Sequence, residues 1–210
     1  MQRIEREDEP ETLIDLIRHG MPVGGRRYRG HRDDPLSEEG WEQMWSAVGG
    51  NAPWHAVVTS PLARCEAFAR SLGERHGLPV EVDPGFKEIS FGDWEGRRIA
   101  EILAAAPEQV SAYWRDPVAH PPPGGEPLES FRERVAAALE AVAERHQGEH
   151  TLVVCHGGVI RTLLSHVLRM PLAAVLRIEV PNAGLTRLRM QRDVNGAPAP
   201  SLVFHARQSL

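Results

Sequence analysis

Short apolar segments alternate along the chain with longer segments of helical periodicity, and this alternation is the feature that most constrains the fold. The apolar segments 13–17, 56–59, 80–82 and 151–155 are too short for typical helices and predict buried strands. Strands that alternate with helices usually form a mostly parallel sheet whose two faces are covered by the helices. The sequence therefore predicts a three-layer α/β/α fold.

The helical segments have recognisable ends. Ser37 precedes the first of them and is a residue type that caps helices, and Gly77 follows the second as a stop signal. The expected helices are 38–48, 63–76, 128–146 and 159–168, with short helices in 97–118. The remaining expected strands are 174–180, 185–190 and 202–205, which bring the mostly parallel sheet to about six strands.

Length and composition place the chain among ordinary globular proteins. It has 210 residues, of which 41% are hydrophobic and 25% are charged, and these values exclude disordered and fibrous classes. We expect one domain over 12–210, preceded by a polar tail over 1–11. The net charge of −5 disfavours a general nucleic-acid binder, so any anion site must be local.

Cysteine usage and hydropathy indicate where the protein works. The two cysteines, Cys65 and Cys155, are too few and too far apart for a disulfide framework or a zinc cluster. The amino terminus is charged, and no apolar segment approaches the roughly 20 residues that span a bilayer. We therefore expect a cytoplasmic protein with no membrane and no nucleic-acid partner.

Polar side chains follow each of the first four predicted strands. Arg18 and His19 follow the first strand, Arg64 the second, Glu88 the third and His156 the fourth. Because ligands of parallel α/β sheets bind at the carboxyl ends of the strands, we expect these side chains to lie close together. Two arginines and two histidines form a cationic pocket of phosphate size, and a glutamate beside it can offer a proton.

This set of residue types suits phosphoryl transfer. Catalysis of that reaction depends mostly on positioning and on positive charge around the equatorial oxygens, which arginine supplies. A neutral imidazole is nucleophilic near pH 7, and the phosphohistidine that it forms is labile enough to hydrolyse. Gly20, Gly157 and Gly158 let the backbone approach an anion, and the helix that begins near Val159 adds N–H donors.

Four motifs occur in a characteristic order, and together they resemble the histidine phosphatase superfamily, also called the phosphoglycerate mutase-like family. The motifs are LIRHG (16–20), SPLAR (60–64), KEISFGDWEG (87–96) and CHGG (155–158), with GHRDDPLSEEG (30–40) after the first. The resemblance covers roughly residues 12–190. It implies that His19 is the phosphorylated nucleophile and Glu88 the proton donor. The implied phosphate clamp is Arg18, Arg64 and His156, and because these groups supply positive charge we expect no cofactor and no metal.

Within that family, FGDWEG (91–96), PPPGGEPLESF (121–131) and the short length resemble the α-ribazole phosphatase branch, which dephosphorylates a late intermediate of cobalamin assembly. Broad-specificity phosphatases and fructose-2,6-bisphosphatases share much of these segments and stay open as alternatives. Phosphoglycerate mutases generally carry a longer insertion and a different acidic segment. The resemblance therefore favours a phosphatase of a small phosphorylated metabolite, and the sequence does not indicate an oligomeric state.

The chain departs from the family pattern after LIRHG. Met21, Pro22 and Gly25 stand where family members usually have an acidic or amide residue, a threonine and an asparagine. Polar contacts to phosphate are therefore missing from this loop. Nearby arginines could replace them or could form a solvated loop face: Arg26, Arg27 and Arg29.

Three other functions are weighed against this one. Residues 155–162 also match the C-x-x-G-x-x-R-T spacing of cysteine-dependent phosphatases, but Val154 stands where that family has histidine, and burial at the end of a strand would keep Cys155 protonated. A non-catalytic binder of phosphorylated ligands would not need all five core residues. A metal hydrolase lacks an HExxH motif here. The sequence favours the histidine mechanism over all three.

Overall fold

One six-stranded sheet organises the protein, whose computed structural model describes residues 11–50 and 52–209. The expected polar tail lies outside the described residues, apart from Glu11. The strands are β1 Thr12–Arg18, β2 Ala56–Thr59, β3 Val80–Val82, β4 His150–Cys155, β5 Leu185–Met190 and β6 Ser201–Arg207. Each of these was predicted, and the structure keeps the expected bounds or extends them by one or two residues at an end.

The strand order is β3-β2-β4-β1-β5-β6. Strands β1 to β4 pair in parallel, whereas β5 runs antiparallel both to β1 and to β6. Only β5 is therefore reversed, and the predicted mostly parallel sheet is confirmed. Because β2, β4 and β1 are parallel neighbours, the residues that follow them emerge at the same edge of the sheet.

The described residues form six α-helices around the sheet. They are α1 Glu38–Val48, α2 Ala63–His76, α3 Ile99–Ala105, α4 Pro107–Arg115, α5 Leu128–Arg145 and α6 Gly157–Val167. The side chain of Ser37 caps α1 by accepting a hydrogen bond from the N–H of Gly40, and Gly77 ends α2 in the left-handed conformation, as predicted. None of these helices is both long and apolar enough to cross a bilayer.

Two apolar clusters form the core, one on each face of the sheet. Residues of α1 and α2, including Met44 and Phe68, pack against Ile17 on one face. Residues of α5 and α6, including Phe131 and Ile160, pack against the opposite face of the strands. The three-layer arrangement is therefore confirmed. Helices α3 and α4 pack apart from both clusters, around Tyr28 and Trp94.

The predicted strand over 174–180 is wrong. This segment forms a 3-10 helix, Leu172–Arg177, that begins after Pro171 and turns the buried side chain of Val175 toward α6. A short apolar run has the same composition in a strand and in a packed turn of helix, so its periodicity could not distinguish the two. The segment covers one end of the core, and the carbonyl of Val180 then accepts a hydrogen bond from Arg18.

A buried carboxylate ties together the strands that carry the polar edge residues. Asp15, in the middle of β1, is fully buried. Its Oδ1 accepts a bond of 2.7 Å from Arg187 Nε, and its Oδ2 accepts bonds of 2.9 Å from Trp54 Nε1 and from His150 Nε2. Burial alone would raise the pKa of Asp15, but the bonds from Arg187 and His150 lower it overall. The carboxylate therefore stays ionised and links β1 to β4 and β5.

Candidate active site

The five residues singled out in the sequence converge at the carboxyl edge of the sheet. Arg18 pairs with Cys155 in the register of β1 and β4, so His19 and His156 follow on neighbouring strands. Their ring centroids are 5.2 Å apart in an edge-to-face arrangement. Both histidines are buried, as are Arg64 and Glu88, which belong to α2 and to the segment after β3.

The imidazole of His19 is held as a neutral group with one free nitrogen. Its Nδ1 lies 2.7 Å from the carbonyl oxygen of Gly20, which can only accept, so Nδ1 carries the proton and Nε2 carries the lone pair. Burial lowers the pKa of His19 well below its ordinary value, and the charges of Arg64 and Arg18 lower it further. At neutral pH the ring is therefore unprotonated at Nε2 and can act as a nucleophile.

The backbone beside His19 packs tightly against α1. A Cβ atom at Gly20 would overlap the carbonyl oxygen of Gly40, and a Cβ at Gly40 would overlap that of Met21. The hydroxyl of Ser37 also donates to the Met21 carbonyl over 2.8 Å. Helix α1 can approach the segment after His19 this closely only because residues 20 and 40 are both glycine. These contacts explain how the sequence LSEEG at the start of α1 helps to fix that segment.

Two arginines each have a buried Nε–H without a hydrogen-bond partner among the described residues. Arg18 Nη1 donates to the Val180 carbonyl over 2.6 Å, and Arg64 donates through Nη1 to Arg32 and through Nη2 to Gly30. The Nε atoms of Arg18 and Arg64 are buried and have no hydrogen-bond partner among the described residues. Burial lowers the pKa of Arg18 to about 10, with a further contribution from Arg161. Both groups therefore remain cationic at neutral pH and can accept an anion.

The ring of His156 is oriented by Ser60 and Cys65. Its Nε2 lies 2.7 Å from the hydroxyl of Ser60, and the sulfur of Cys65 lies 3.6 Å from the same nitrogen. Burial lowers the pKa of His156 well below its ordinary value, and the charge of Arg64 adds to this effect. The ring is therefore neutral and is fixed at the residue that caps α6.

Glu88 is held at the start of α6 by backbone donors. Its Oε2 accepts a hydrogen bond of 3.0 Å from the N–H of Gly158, and its Oε1 accepts one of 3.0 Å from the N–H of Ile89. A Cβ at Gly158 would overlap the Glu88 carboxylate, so only glycine permits this approach. The ring of His31 donates through Nε2 to the Glu88 carbonyl over 3.0 Å. The buried carboxylate of Glu88 is therefore fixed at the first turn of the helix that His156 caps.

The loop arginines differ in what they contact. Arg27 donates to the carbonyls of Gly24 and Gly96 and so belongs to the loop itself. Arg29 is paired with Asp34 at 2.8 Å, and its charge is close enough to lower the pKa of His19. Arg26 is exposed, and its charge contributes to lowering the pKa of Arg18. The charges of Arg26 and Arg29 therefore act on Arg18 and His19, whereas Arg27 is bonded to loop carbonyls.

A cleft with a cavity volume of about 60 Å³ opens beside Glu88 and Gly158. Most of its walls are apolar or aromatic, and they include Phe91, Tyr113, Leu128, Phe131, Val175 and Leu176. Arg161 also lines the cleft. Its Nε donates to the Ile178 carbonyl over 2.8 Å, and no carboxylate pairs with its guanidinium in the described part of the chain. The cleft is therefore largely apolar, with the cationic side chain of Arg161 among its lining residues.

The geometry disfavours Cys155 as a nucleophile. Its side chain is fully buried, and burial raises the pKa of its thiol well above the ordinary value. A protonated, enclosed thiol is a poor nucleophile. The competing cysteine-dependent mechanism therefore has no support at this position.

Sequence reasoning missed three residues that the structure adds to the site. Ser60 orients His156, Arg161 lines the cleft, and the carboxylate of Glu95 accepts N–H bonds from the loop that contacts Arg64. Ser60 and Glu95 lie inside the SPLAR and FGDWEG motifs, so their polar side chains are a signal that the sequence contains. Arg161 lies one turn after CHGG, on the same helix.

Comparison with known proteins gives consistent results. The sequence model of the histidine phosphatase superfamily (branch 1) matches residues 14–197. The chain is 32% identical over 197 residues to a bifunctional protein of Mycobacterium tuberculosis, and the match covers 91% of this chain and 53% of that protein. The chain thus spans about half the length of this relative.

Two further matches cover most of both chains. The adenosylcobalamin/alpha-ribazole phosphatase of Escherichia coli is 31% identical over 169 residues, which cover 79% of this chain and 83% of that protein. A mycobacterial glucosyl-3-phosphoglycerate phosphatase, solved in complex with inorganic phosphate, is 30% identical with a TM-score of 0.79, covering 94% of this chain and 99% of that one. The motifs, the site geometry and these matches agree, and the chain belongs to the histidine phosphatase superfamily.

Proposed function

We propose that the protein is a phosphomonoesterase that acts through a phosphohistidine intermediate at His19. One observation carries the proposal. The buried Nε–H groups of Arg18 and Arg64 have no partner among the described residues, and both arginines act electrostatically on a neutral imidazole whose Nε2 is free. Buried N–H donors without partners are costly unless a ligand satisfies them, and a phosphoryl group provides the matching acceptors.

In the first half-reaction, Arg18, Arg64 and His156 hold the equatorial oxygens of the phosphoryl group. The Nε2 lone pair of His19 attacks phosphorus as the bond to the ester oxygen breaks. Glu88 protonates that oxygen, and the alcohol leaves. The fixed positive charges stabilise the transition state without reorganising, because carbonyl acceptors already hold both arginines in place.

In the second half-reaction, water attacks the phosphohistidine. The carboxylate of Glu88, left without its proton by the first step, takes a proton from the water as the new O–P bond forms and the N–P bond breaks. His19 returns to its neutral form and inorganic phosphate leaves. The hydrogen bonds from Gly158 and Ile89 keep the Glu88 carboxylate in place through both steps.

We propose α-ribazole 5′-phosphate as the first candidate substrate, used by the protein in the cytoplasm. Three features support this choice: the FGDWEG segment, the similarity to a protein named adenosylcobalamin/alpha-ribazole phosphatase, and a cleft with aromatic walls that suits a bicyclic ring. The two free buried cysteines fit a reducing compartment. The partner that this function requires is the small phosphate ester itself.

Arg161 favours a second candidate, a phosphate ester whose alcohol carries a carboxylate. The guanidinium of Arg161 faces the cleft and has no carboxylate partner among the described residues, so it would bind an acidic group well. One structural relative is named for such a substrate, glucosyl-3-phosphoglycerate.

A turnover panel separates these candidates. Phosphate release is measured for α-ribazole 5′-phosphate, glucosyl-3-phosphoglycerate, 3-phosphoglycerate and fructose 2,6-bisphosphate, with wild type, Arg161→Met and the exposed control Arg177→Met. We expect the highest kcat/KM for α-ribazole 5′-phosphate. The second candidate is supported if the wild type prefers the two esters that carry a carboxylate, glucosyl-3-phosphoglycerate and 3-phosphoglycerate. Arg161→Met should then abolish this preference, and Arg177→Met should preserve it. Comparable slow turnover of every ester indicates a broad phosphatase, and no release from any of them contradicts the proposed function.

A further inference from the structure

Glu95, which the proposed reaction does not use, carries an unusual set of hydrogen bonds. Its carboxylate is half-buried and forms no ion pair with lysine or arginine among the described residues. Instead it accepts backbone N–H bonds of 2.9 to 3.1 Å from four residues: Gly30, His31, Arg32 and Phe91. The Glu95 carboxylate thus accepts converging backbone donors, three of which belong to the loop over residues 30–32.

The same loop holds Arg64 from its other side. Arg64 Nη2 donates to the Gly30 carbonyl over 2.8 Å, and Nη1 donates to the Arg32 carbonyl over 2.9 Å. The peptide group between Gly30 and His31 therefore gives its N–H to Glu95 and its C=O to Arg64. The carboxylate and the guanidinium face each other across a peptide whose dipole is aligned with both charges, and each bond strengthens the other.

The backbone around Gly30 leaves no room for adjustment. A Cβ at this position would overlap both the carbonyl oxygen of Ile89 and the Glu95 carboxylate. The adjacent His31 donates from its ring to the Glu88 carbonyl. Displacement of residues 30–32 would therefore disturb Arg64 directly and the segment of Glu88 as well.

We propose that Glu95 is a positioning residue that acts on phosphate through Arg64. By fixing the acceptor carbonyls of Gly30 and Arg32, it fixes the rotation of the guanidinium and so the direction of its free Nε–H. The inference rests on the proposed function, because it takes Arg64 as part of the phosphate clamp. It assigns to FGDWEG a role separate from any contact with the leaving group.

The test is a double-mutant cycle with orthovanadate, which imitates the phosphoryl group in transfer, as the probe. Glu95→Gln keeps the size of the side chain but replaces one carboxylate oxygen with an NH2 group. This oxygen accepts two backbone hydrogen bonds, whereas the NH2 group can only donate. We expect it to weaken vanadate inhibition and to lower kcat on p-nitrophenyl phosphate by about 10- to 100-fold, the effect of misplacing a catalytic group on the order of 1 Å. Glu101→Gln is the control, because that carboxylate also accepts a backbone N–H, from Arg98, on an exposed helix start.

The cycle distinguishes positioning from general support of the loop. In an Arg64→Ala background, Glu95→Gln should change vanadate inhibition and kcat by less than about threefold, since its effect passes through the missing guanidinium. If the loss in the double variant equals the product of the losses in the two single variants, the proposal is wrong. It is also wrong if Glu95→Gln has the vanadate inhibition and kcat of the wild type. If Arg64→Ala itself retains wild-type activity, the clamp assignment in the proposed function fails instead.

If Glu95→Gln does not fold, the proposal can be tested on the wild-type protein by hydrogen exchange. Hydrogen exchange at the amides of Gly30, His31 and Arg32 is measured with and without vanadate, with the amide of Arg98, which bonds Glu101, as reference. Because anion binding immobilises Arg64, we expect slower exchange at the three loop amides and no change at Arg98. Unchanged exchange at the loop amides would contradict the coupling of Glu95 to Arg64.

Discussion

The Glu88 carboxylate accepts a hydrogen bond from the backbone N–H of Gly158 over 3.0 Å, which places the acid on the first turn of the helix that His156 caps. The bond joins the segment after β3 to the segment after β4, two regions 70 residues apart. It exists because residue 158 has no side chain, since a Cβ there would occupy the position of the carboxylate. Glu88, the proposed proton donor, and His156, one residue of the proposed clamp, are therefore both fixed at the start of the same helix.

Glu88→Gln keeps the shape of the side chain and removes its proton. An alkoxide is a poor leaving group that needs this proton, whereas p-nitrophenolate does not. We expect turnover of an alkyl phosphate to fall by about 10²- to 10⁴-fold, provided that the acid step limits the wild-type rate. The burst phase on p-nitrophenyl phosphate should fall much less. Equal, large burst losses on both substrates would show that Glu88 shapes the pocket instead of donating a proton.

The residues at the carboxyl edge of the sheet could be predicted from the sequence because each of them is close in sequence to the strand that positions it. Each strand is a short apolar run, and the polar residue that follows it must emerge at the strand end. In a mostly parallel sheet, Arg18, His19 and His156 are expected at the same edge, and the structure adds that β1 and β4 are direct neighbours. Arg64 and Glu88 followed from the same argument, with the family motifs to support it.

The remaining features depend on contacts between distant segments. The turn of helix over 172–177 could not be distinguished from a strand, because both bury the same apolar side chains. The cleft exists only where α4, the 3-10 helix and α6 come together, so no single segment indicates it. The bonds of Glu95 go to backbone groups, which every residue has, and a sequence pattern therefore cannot reveal them.

Arg64→Ala should reduce activity far more than Arg27→Ala. Arg64 is buried with a free Nε–H, and a charge-assisted bond of this kind contributes about 1.5–3 kcal/mol. Arg27 is partly exposed and bonds only to the carbonyls of Gly24 and Gly96, a type of surface contact worth about 0–1 kcal/mol. Values of kcat/KM on p-nitrophenyl phosphate measure both losses. Equal losses would mean that the loop arginines form part of the clamp.

The stability of the protein should decline as the pH falls below about 6.5. The pKa values of His19 and His156 are lowered in the folded state, so below pH 6.5 the unfolded chain binds protons that the folded chain does not. The free energy of unfolding then falls with decreasing pH, by about 1.4 kcal/mol per pH unit for each histidine until its folded pKa is reached.

Urea unfolding at pH 7.5, 6.5 and 5.5 checks this dependence. His156→Gln removes one of these two histidines. The slope of the free energy of unfolding against pH should therefore fall by about 1.4 kcal/mol per pH unit, the contribution of one proton. The exposed His120 offers the control, and His120→Gln should keep the wild-type slope. A slope that His156→Gln leaves unchanged would contradict the burial of a neutral histidine at this position.

Chelators should leave the rate unchanged. Arg18 and Arg64, which remain cationic at neutral pH, supply the positive charge that a metal ion provides in other phosphatases. Initial rates on p-nitrophenyl phosphate are compared before and after treatment with EDTA and gel filtration. Strong inhibition that a divalent cation reverses would show that the arginines do not suffice.

The phosphorylated residue tests the account most directly. The protein is mixed with a phosphate ester, quenched rapidly under conditions that preserve acid-labile phosphopeptides, digested and sequenced by mass spectrometry. The account predicts a phosphoryl group on His19, which is absent from His19→Ala and present in Cys155→Ser. A label on Cys155, or near-normal turnover by His19→Ala, would contradict the histidine mechanism.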